Sequence, residues 1–469
     1  MKGVLAVVFA VGAVCLLGGV LFTPPFVEQH LSSDGILEPE TIRMIHNLQI
    51  YSLVWGSLAV SGSVVAVSFL YRKRSQLTLR FPYAVILCLL ILLPTWAMYI
   101  AGRYPNHLLW QPSKMGRVLL GQDLLLKDYQ PKSNLVTVGH KVTRAKFPVI
   151  NVHEHFTYPK SMGERRPEDL IRVMDAANVK TIVDLDGNFG DEIREKIKNY
   201  KTPYPDRFII FMNVWFDETG THEHILSGKI TDDIVEAAKM GAGGIKMWKN
   251  LGLRSRDASG KLIPVNDPRL DPLWDKAAEL GLPVLIHLVD PPGNFQPVDR
   301  FHEDYEWLTE FSEWSFSGPE YPAPKVVISQ FEDVLAKHRH TIFIGAHMLS
   351  LGGDDLSYLS SLLDKHPNLY VDTAFMIHRL GRQPYSARNF FLKYQDRILF
   401  GTDTWPTEED YAAHFRFFET ADEYFDPPFS YKKLPRWKIY GIFLPDEVLK
   451  KIYFRNAKRI FARRGQQEN

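Results

Sequence analysis

Cysteine is almost absent from this chain. Of 469 residues only Cys15 and Cys88 are cysteines, and both sit in apolar runs within the first hundred positions. The remaining chain can form neither a disulfide nor a thiolate metal site. A surplus of charge is missing too. The 55 Lys and Arg against 54 Asp and Glu leave a net charge of +1, which excludes the basic footprint of a nucleic-acid-binding protein. Nor does a glycine-rich loop follow the first strand-like run, so a doubly wound nucleotide-binding sheet lacks its fingerprint.

Apolar residues are plentiful, and they are unevenly placed. Residues 3–22, 50–70 and 82–101 carry no charged side chain, and each is close to the roughly 20 residues a helix needs to cross a bilayer. The expectation is a membrane anchor over 1–101 with three transmembrane helices, the first uncleaved, and a connecting segment over 102–146. Arg72, Lys73, Arg74 and Arg80 between the second and third runs, against Glu28, Asp34, Glu38 and Glu40 between the first two, place the middle loop in the cytoplasm. A multi-pass membrane location follows, with the lipid bilayer as a partner and residues 147–469 outside the cytoplasm.

From residue 147 short β-branched runs alternate with helix-like stretches. Strands are predicted at 148–152, 181–185, 208–214, 244–248, 283–288, 341–346, 369–372 and 398–401, with helices among the intervals at 167–177, 233–240 and 271–280. Continuous apolar strands separated by helices imply a parallel sheet buried on both faces. Eight such units imply a closed (β/α)8 barrel of the TIM type.

Barrel enzymes place their chemistry at the C-terminal ends of the strands. The first strand here ends in His153-Glu154-His155, the fifth in His287, the sixth in His347 and the eighth runs into Asp403. Residues two apart on a strand share a face, so His153 and His155 can enter the barrel together and chelate one ion. Imidazole and carboxylate donors without thiolate suit Zn²⁺, Fe²⁺ or Mn²⁺, and we expect a divalent ion, Zn²⁺ first among them. His-x-His alone is weak: His222 and His224 repeat the spacing in a polar stretch after the third strand and read as a solvated loop or lid.

The segments PVINVHEHF, GAGGIKMWK, LPVLIHLVDP, IFIGAHM, LYVDTA, LFGTDTWP and YFRNAKRIF, spread from Pro148 to Phe461, resemble the amidohydrolase superfamily of metal-dependent hydrolases. They are most similar to its amidohydrolase-related branch, which also holds decarboxylases. The resemblance implies His153, His155, His287 and Asp403 around the metal, with His347 as a further ligand or a catalytic side chain. It also gives Lys246 two readings. A carboxylated lysine on the fourth strand bridges two ions in some relatives; otherwise a lysine there pairs with a carboxylate or binds substrate. One ion is favoured, and two follow if Lys246 is carboxylated.

The expected chemistry is hydrolysis of an amide, lactone or ester-like bond in a small-molecule substrate through metal-activated water. Asp403 would take the proton and His347 would polarise the carbonyl. The alternatives are a metal-dependent non-oxidative decarboxylase of an aromatic carboxylic acid and a non-catalytic barrel serving as a binding module. Lower-ranked residues are Asp372, which could orient a ligand histidine, Arg379 and Arg382, which could grip a substrate carboxylate, Asp186 in a tight loop, and Lys249 as a loop cation. Phe189, Trp248, Phe295 and Trp405 could wall an apolar pocket. An oligomer is compatible with the sequence.

Overall fold

Eight short runs rich in Val, Ile and Phe pair in chain order. The computed structural model describes residues 125, 132–156, 165–216, 220, 222–428 and 437–462. The chain divides into two units, residues 1–133 and 134–469, and the second carries the sheet. Its strands are β1 (Val149–Glu154), β2 (Val179–Asp184), β3 (Phe208–Val214), β4 (Gly244–Met247), β5 (Val284–Ile286), β6 (Phe343–Gly345), β7 (Leu369–Asp372) and β8 (Ile398–Leu399). They form one parallel sheet in the order β1 to β8. Two backbone bonds join the ends of that sheet: Val152 N–H donates to Phe400 O at 2.9 Å, and Asp403 N–H donates to His153 O at 3.0 Å. This is the expected TIM barrel, with each strand near its expected position.

Alternation explains the two cores. Ile150, Val183, Phe211, Leu285, Ile344, Tyr370 and Leu399 form an inner cluster. Val149, Ile182, Ile210, Ile245, Val284, Phe343, Val371 and Ile398 join a larger cluster with the helices. The helix Pro167–Ala177 shows why the outer layer docks. Proline sits in its first turn, Leu170, Val173, Met174 and Ala177 recur at helical spacing and are buried, and Asn178 at φ 66° ends it. The expected helices at 233–240 and 271–280 lie in Ile230–Met240 and Asp271–Glu279. The helix Asn456–Phe461 supplies Ala457 and Ile460 to the inner cluster and so closes one end.

The expectation of a multi-pass membrane location is corrected. Among the described residues no helix is long and apolar enough to cross a membrane. The three apolar runs, and Cys15 and Cys88 with them, lie outside the described residues.

Glycine at 244 is required by the inner core. A Cβ there would lie 2.3 Å from the ring of Phe211, on the neighbouring strand. Gly244→Ala should therefore destabilise the barrel by about 1–3 kcal/mol through overpacking. In a Phe211→Leu background the added cost should shrink, because the two sites share one volume. Thermal unfolding of the two single variants and the double variant measures the coupling; strict additivity would refute it.

Candidate metal centre

Asp403, four residues past the end of β8, is where the histidines meet. Its Oδ2 lies 3.8 Å from His153 Nε2 and 3.6 Å from His347 Nε2, and its Oδ1 lies 3.6 Å from His155 Nε2. The other nitrogen of each ring is already held. His153 Nδ1 bonds Asp372 Oδ2 at 2.8 Å, His155 Nδ1 bonds Asp186 Oδ1 at 2.6 Å, and His347 Nδ1 donates to Ala374 O at 2.9 Å. Such partners fix the ring orientation of metal-binding histidines. The Nε2-to-carboxylate distances are too long for hydrogen bonds. They are close to the roughly 3.4 Å edge of a tetrahedron of N and O donors about 2.1 Å from a central ion. His153, His347 and Asp403 form a group that could hold a metal ion.

Three departures from regular backbone bring these side chains together. Simple alternation from Ile150 and Val152 would turn His153 out of the barrel. The register of β1 against β2 shifts between Asn151 and Glu154, and His153 turns in beside Val152 while Glu154 bonds Asn151 and Thr402. After β6 the residues His347, Met348, Leu349 and Ser350 all have φ between 52° and 56°, a left-handed turn that carries His347 into the cavity. Asp403 has φ 50°.

The fifth-strand histidine stands slightly apart. His287 Nε2 makes no hydrogen bond and lies 3.4 Å from Asp290 Oδ1, while its ring packs 4.5 Å from that of His347. Asp290 in turn pairs with Lys249. The expected set of His153, His155, His287 and Asp403 is thus divided: His347, rather than His287, has its Nε2 beside Asp403. Lys249 lies on the turn after β4 as expected of a loop cation, but it is buried, with its Nζ 3.6 Å from the centre of the Trp314 ring.

Electrostatics favour neutral imidazoles. Burial first, then Lys246, holds His153 well below the usual histidine range. Burial brings His287 to about 4 and His347 to about 3. His155 differs: burial pulls it down, but Asp186 and Asp403 outweigh it and the net shift is upward. Lys246 is fully buried at the end of β4, with Nζ 3.5 Å from His153 Nε2, and burial lowers it to about 8.

These groups open into a cavity of about 240 Å³. Of the four aromatic residues expected to wall it, only Trp248 does. Phe295 stacks on Phe316, Trp405 lies under the Arg165 guanidinium, and Phe189 packs on the outer core. Trp307, Trp314 and Phe375 take that role instead. Arg379 borders the cavity but is already paired with Asp304 at 2.5 Å, and Arg382, which pairs with Glu303, does not border it. His222 is buried against Phe216 and only His224, paired with Asp233, is exposed, so the expected solvated loop holds for half of that pair. Asp290, Asp304, Trp307 and Trp314 were not singled out in the sequence. They lie in the segments beyond the strand ends, Trp307 in the short helix Tyr305–Glu310 and Trp314 in the single turn Ser312–Trp314, too short for a periodicity to mark them; only Asp290, three residues after His287, carries a local signal.

An ion must displace the proton from His155. Affinity should therefore fall as pH drops through the raised pKa of that ring. In Asp186→Asn the raising charge is gone and burial dominates, so the loss should occur at lower pH. The plateau affinity at higher pH should also fall, about 10- to 100-fold, because the ring loses its orienting partner. Competition titrations of Zn²⁺ against a chelator over about pH 5–8 test this; a midpoint that stays or rises defeats it.

Solved structures match the chain at low identity. An uncharacterised TIM-barrel protein from Bordetella bronchiseptica is 18% identical, with TM-score 0.42, covering 68% of this chain and 100% of that one. A dihydroxybenzoic acid decarboxylase from Polaromonas, with bound manganese and 2-nitroresorcinol, is 14% identical, with TM-score 0.45, covering 67% and 97%. A probable 2-pyrone-4,6-dicarboxylic acid hydrolase from Acinetobacter baumannii is 14% identical, with TM-score 0.40, covering 67% and 100%. No curated protein matches the chain. The family model described as amidohydrolase matches residues 210–463, more than half of the sequence, and the chain belongs to that family of metal-dependent enzymes.

Proposed function

We propose that this enzyme hydrolyses an amide, lactone or ester-like bond at one divalent ion, Zn²⁺ by donor type, held by His153, His155, His347 and Asp403. The observation that supports it is the convergence of three Nε2 atoms, each with its Nδ1 already bonded, on one carboxylate at 3.6–3.8 Å. Among the described residues His153, His347 and Asp403 are the one group of donors able to hold an ion, which favours a single metal over two; His155 is added to them for its Nε2, 3.6 Å from Asp403 Oδ1.

A divalent ion bound there supplies Lewis acidity and water that ionises near neutral pH. The chain's own groups do the rest. Asp403 is the most exposed of the four donors, its side chain 27% accessible, so it can accept a proton from water and return it to the leaving atom. Lys246 presents a buried ammonium beside His153, where it stabilises negative charge growing on a carbonyl oxygen. His287, tied toward Asp290 rather than Asp403, stands where a neutral imidazole can hold that carbonyl. Trp248, Trp307 and Trp314 keep bulk water from the reacting groups.

Decarboxylation of an aromatic acid is a second reading, and Lys246 favours it. Among the described residues no carboxylate lies within ion-pair distance of this lysine, and its Nζ lies 5.1 Å from the centre of the Trp248 ring. A carboxylate on a flat ring would meet both.

Purified full-length protein loaded with Zn²⁺ should be assayed against amides, lactones, esters and aromatic carboxylic acids, with CO₂ release followed. Hydrolysis that falls about 10²- to 10⁴-fold in Asp403→Asn supports the first reading, whereas CO₂ without hydrolysis replaces it with the second. His347→Ala should lose more metal than His287→Ala; the reverse restores the ligand order that the family resemblance implies. Absence of stoichiometric metal, with His153→Ala unchanged in metal content, defeats both readings.

A further inference from the structure

The charged groups of the cavity fall into two sets. Around the histidine cluster stand Lys246 and, beside His287, Asp290. Bordering the same cavity, in the short helix Ile377–Leu380 after β7 and directly before the helix Tyr305–Glu310, stand Arg379 and Asp304. Their side chains are only 5% and 3% exposed, and Nη2 meets Oδ2 at 2.5 Å.

This pair is incomplete. Arg379 Nε and Asp304 Oδ1 are buried and have no hydrogen-bond partner among the described residues. One is a donor and the other an acceptor. The guanidinium is also amply neutralised. Arg379 Nη1 lies 3.6 Å from Asp354 Oδ1 and 4.0 Å from Glu303 Oε2, and Arg382 shares those two carboxylates. Two guanidinium groups thus face three carboxylates. A substrate carboxylate placed here would meet a net negative surround, whatever its fit to Arg379 alone.

We propose that Arg379 and Asp304 form a specificity site for a neutral hydroxyl or amide group at the end of the substrate remote from the reacting bond. Asp304 Oδ1 accepts the hydrogen of that group and Arg379 Nε donates to its oxygen. The substrate class is then a flat apolar body, suited to the walls of Trp307, Trp314 and Phe375, with a neutral polar tip. The metal-site reading enters only in fixing which end of the molecule reacts.

Calorimetry on Zn²⁺-loaded full-length protein with benzoate, 4-hydroxybenzoate and terephthalate tests this. The expected order puts 4-hydroxybenzoate about tenfold tighter than benzoate, with terephthalate no tighter than benzoate. Asp304→Asn removes one countercharge, so terephthalate should gain about tenfold or more on 4-hydroxybenzoate. A purely structural role for Asp304 would weaken all three probes alike. Terephthalate binding tightest to the wild type, 4-hydroxybenzoate no better than benzoate, no binding by any probe at millimolar concentration, or an unshifted ranking in Asp304→Asn each overturns the assignment. Metal content of the same samples is a separate readout. No ion with the ranking intact defeats the metal reading alone, and bound ion with the ranking reversed defeats the specificity site alone.

Discussion

The carboxylate of Asp372 ties the site together. Its Oδ2 holds His153 Nδ1 at 2.8 Å, and its Oδ1 accepts from the backbone N–H of His347 at 2.9 Å and of Ala374 at 3.1 Å. One fully buried side chain at the end of β7 thereby fixes His153 from β1 and the turn that presents His347 after β6. Burial pushes its pKa up to about 7, so its charge is costly to keep in place without positive charge nearby. Lys246 supplies positive charge there, and a divalent ion on His153 would add more; the end of β1 and the turns after β6 and β7 are organised around the same carboxylate.

Backbone strain is concentrated where this organisation needs it. A left-handed conformation costs an L-residue about 1–2 kcal/mol, and four consecutive residues from His347 to Ser350 adopt it. All four are buried, and the N–H of His347 finds Asp372 instead of a helical carbonyl. Asp403 adds another such residue at φ 50°. Gly401, two residues before it, admits the close approach: a Cβ there would sit 3.0 Å from His153 Cβ and 3.4 Å from Asp372 Cβ. Strain held by surrounding packing is characteristic of functional sites, and the longest run of it in the described residues, His347 to Ser350, lies beside the histidine cluster.

That contrast explains what could be read in the sequence. The eight strands were legible because their burial on both faces leaves uninterrupted β-branched runs, and the helix Pro167–Ala177 because its apolar positions keep a period near 3.6. The site histidines were legible because each ends a strand. Their division of labour was not. The inward turn of His153 depends on the register shift in β1 and the placement of His347 on a left-handed turn, and neither has a sequence signature when no glycine marks it. His222 makes the same point from the other side, since its buried position against Phe216 comes from tertiary packing that a polar stretch conceals. Arg379 looked like a carboxylate clamp because its partners, Asp304 and Asp354, are distant in sequence.

The charge balance of the metal end links the number of ions to the state of Lys246. Asp186, Asp372 and Asp403 bring three carboxylates to the three histidines, and Lys246 brings one ammonium. The formal remainder is −2, which one divalent ion cancels. Carboxylation of Lys246 would replace its positive charge with a negative one and leave −4, which two divalent ions cancel. One ion with an ammonium and two ions with a carbamate are therefore both balanced, and mixed combinations are not. The Trp248 ring, 5.1 Å from the lysine Nζ, tips the choice, because the face of an indole attracts a cation and repels an anion. The wall favours the ammonium over the carbamate, and so supports the proposed single ion.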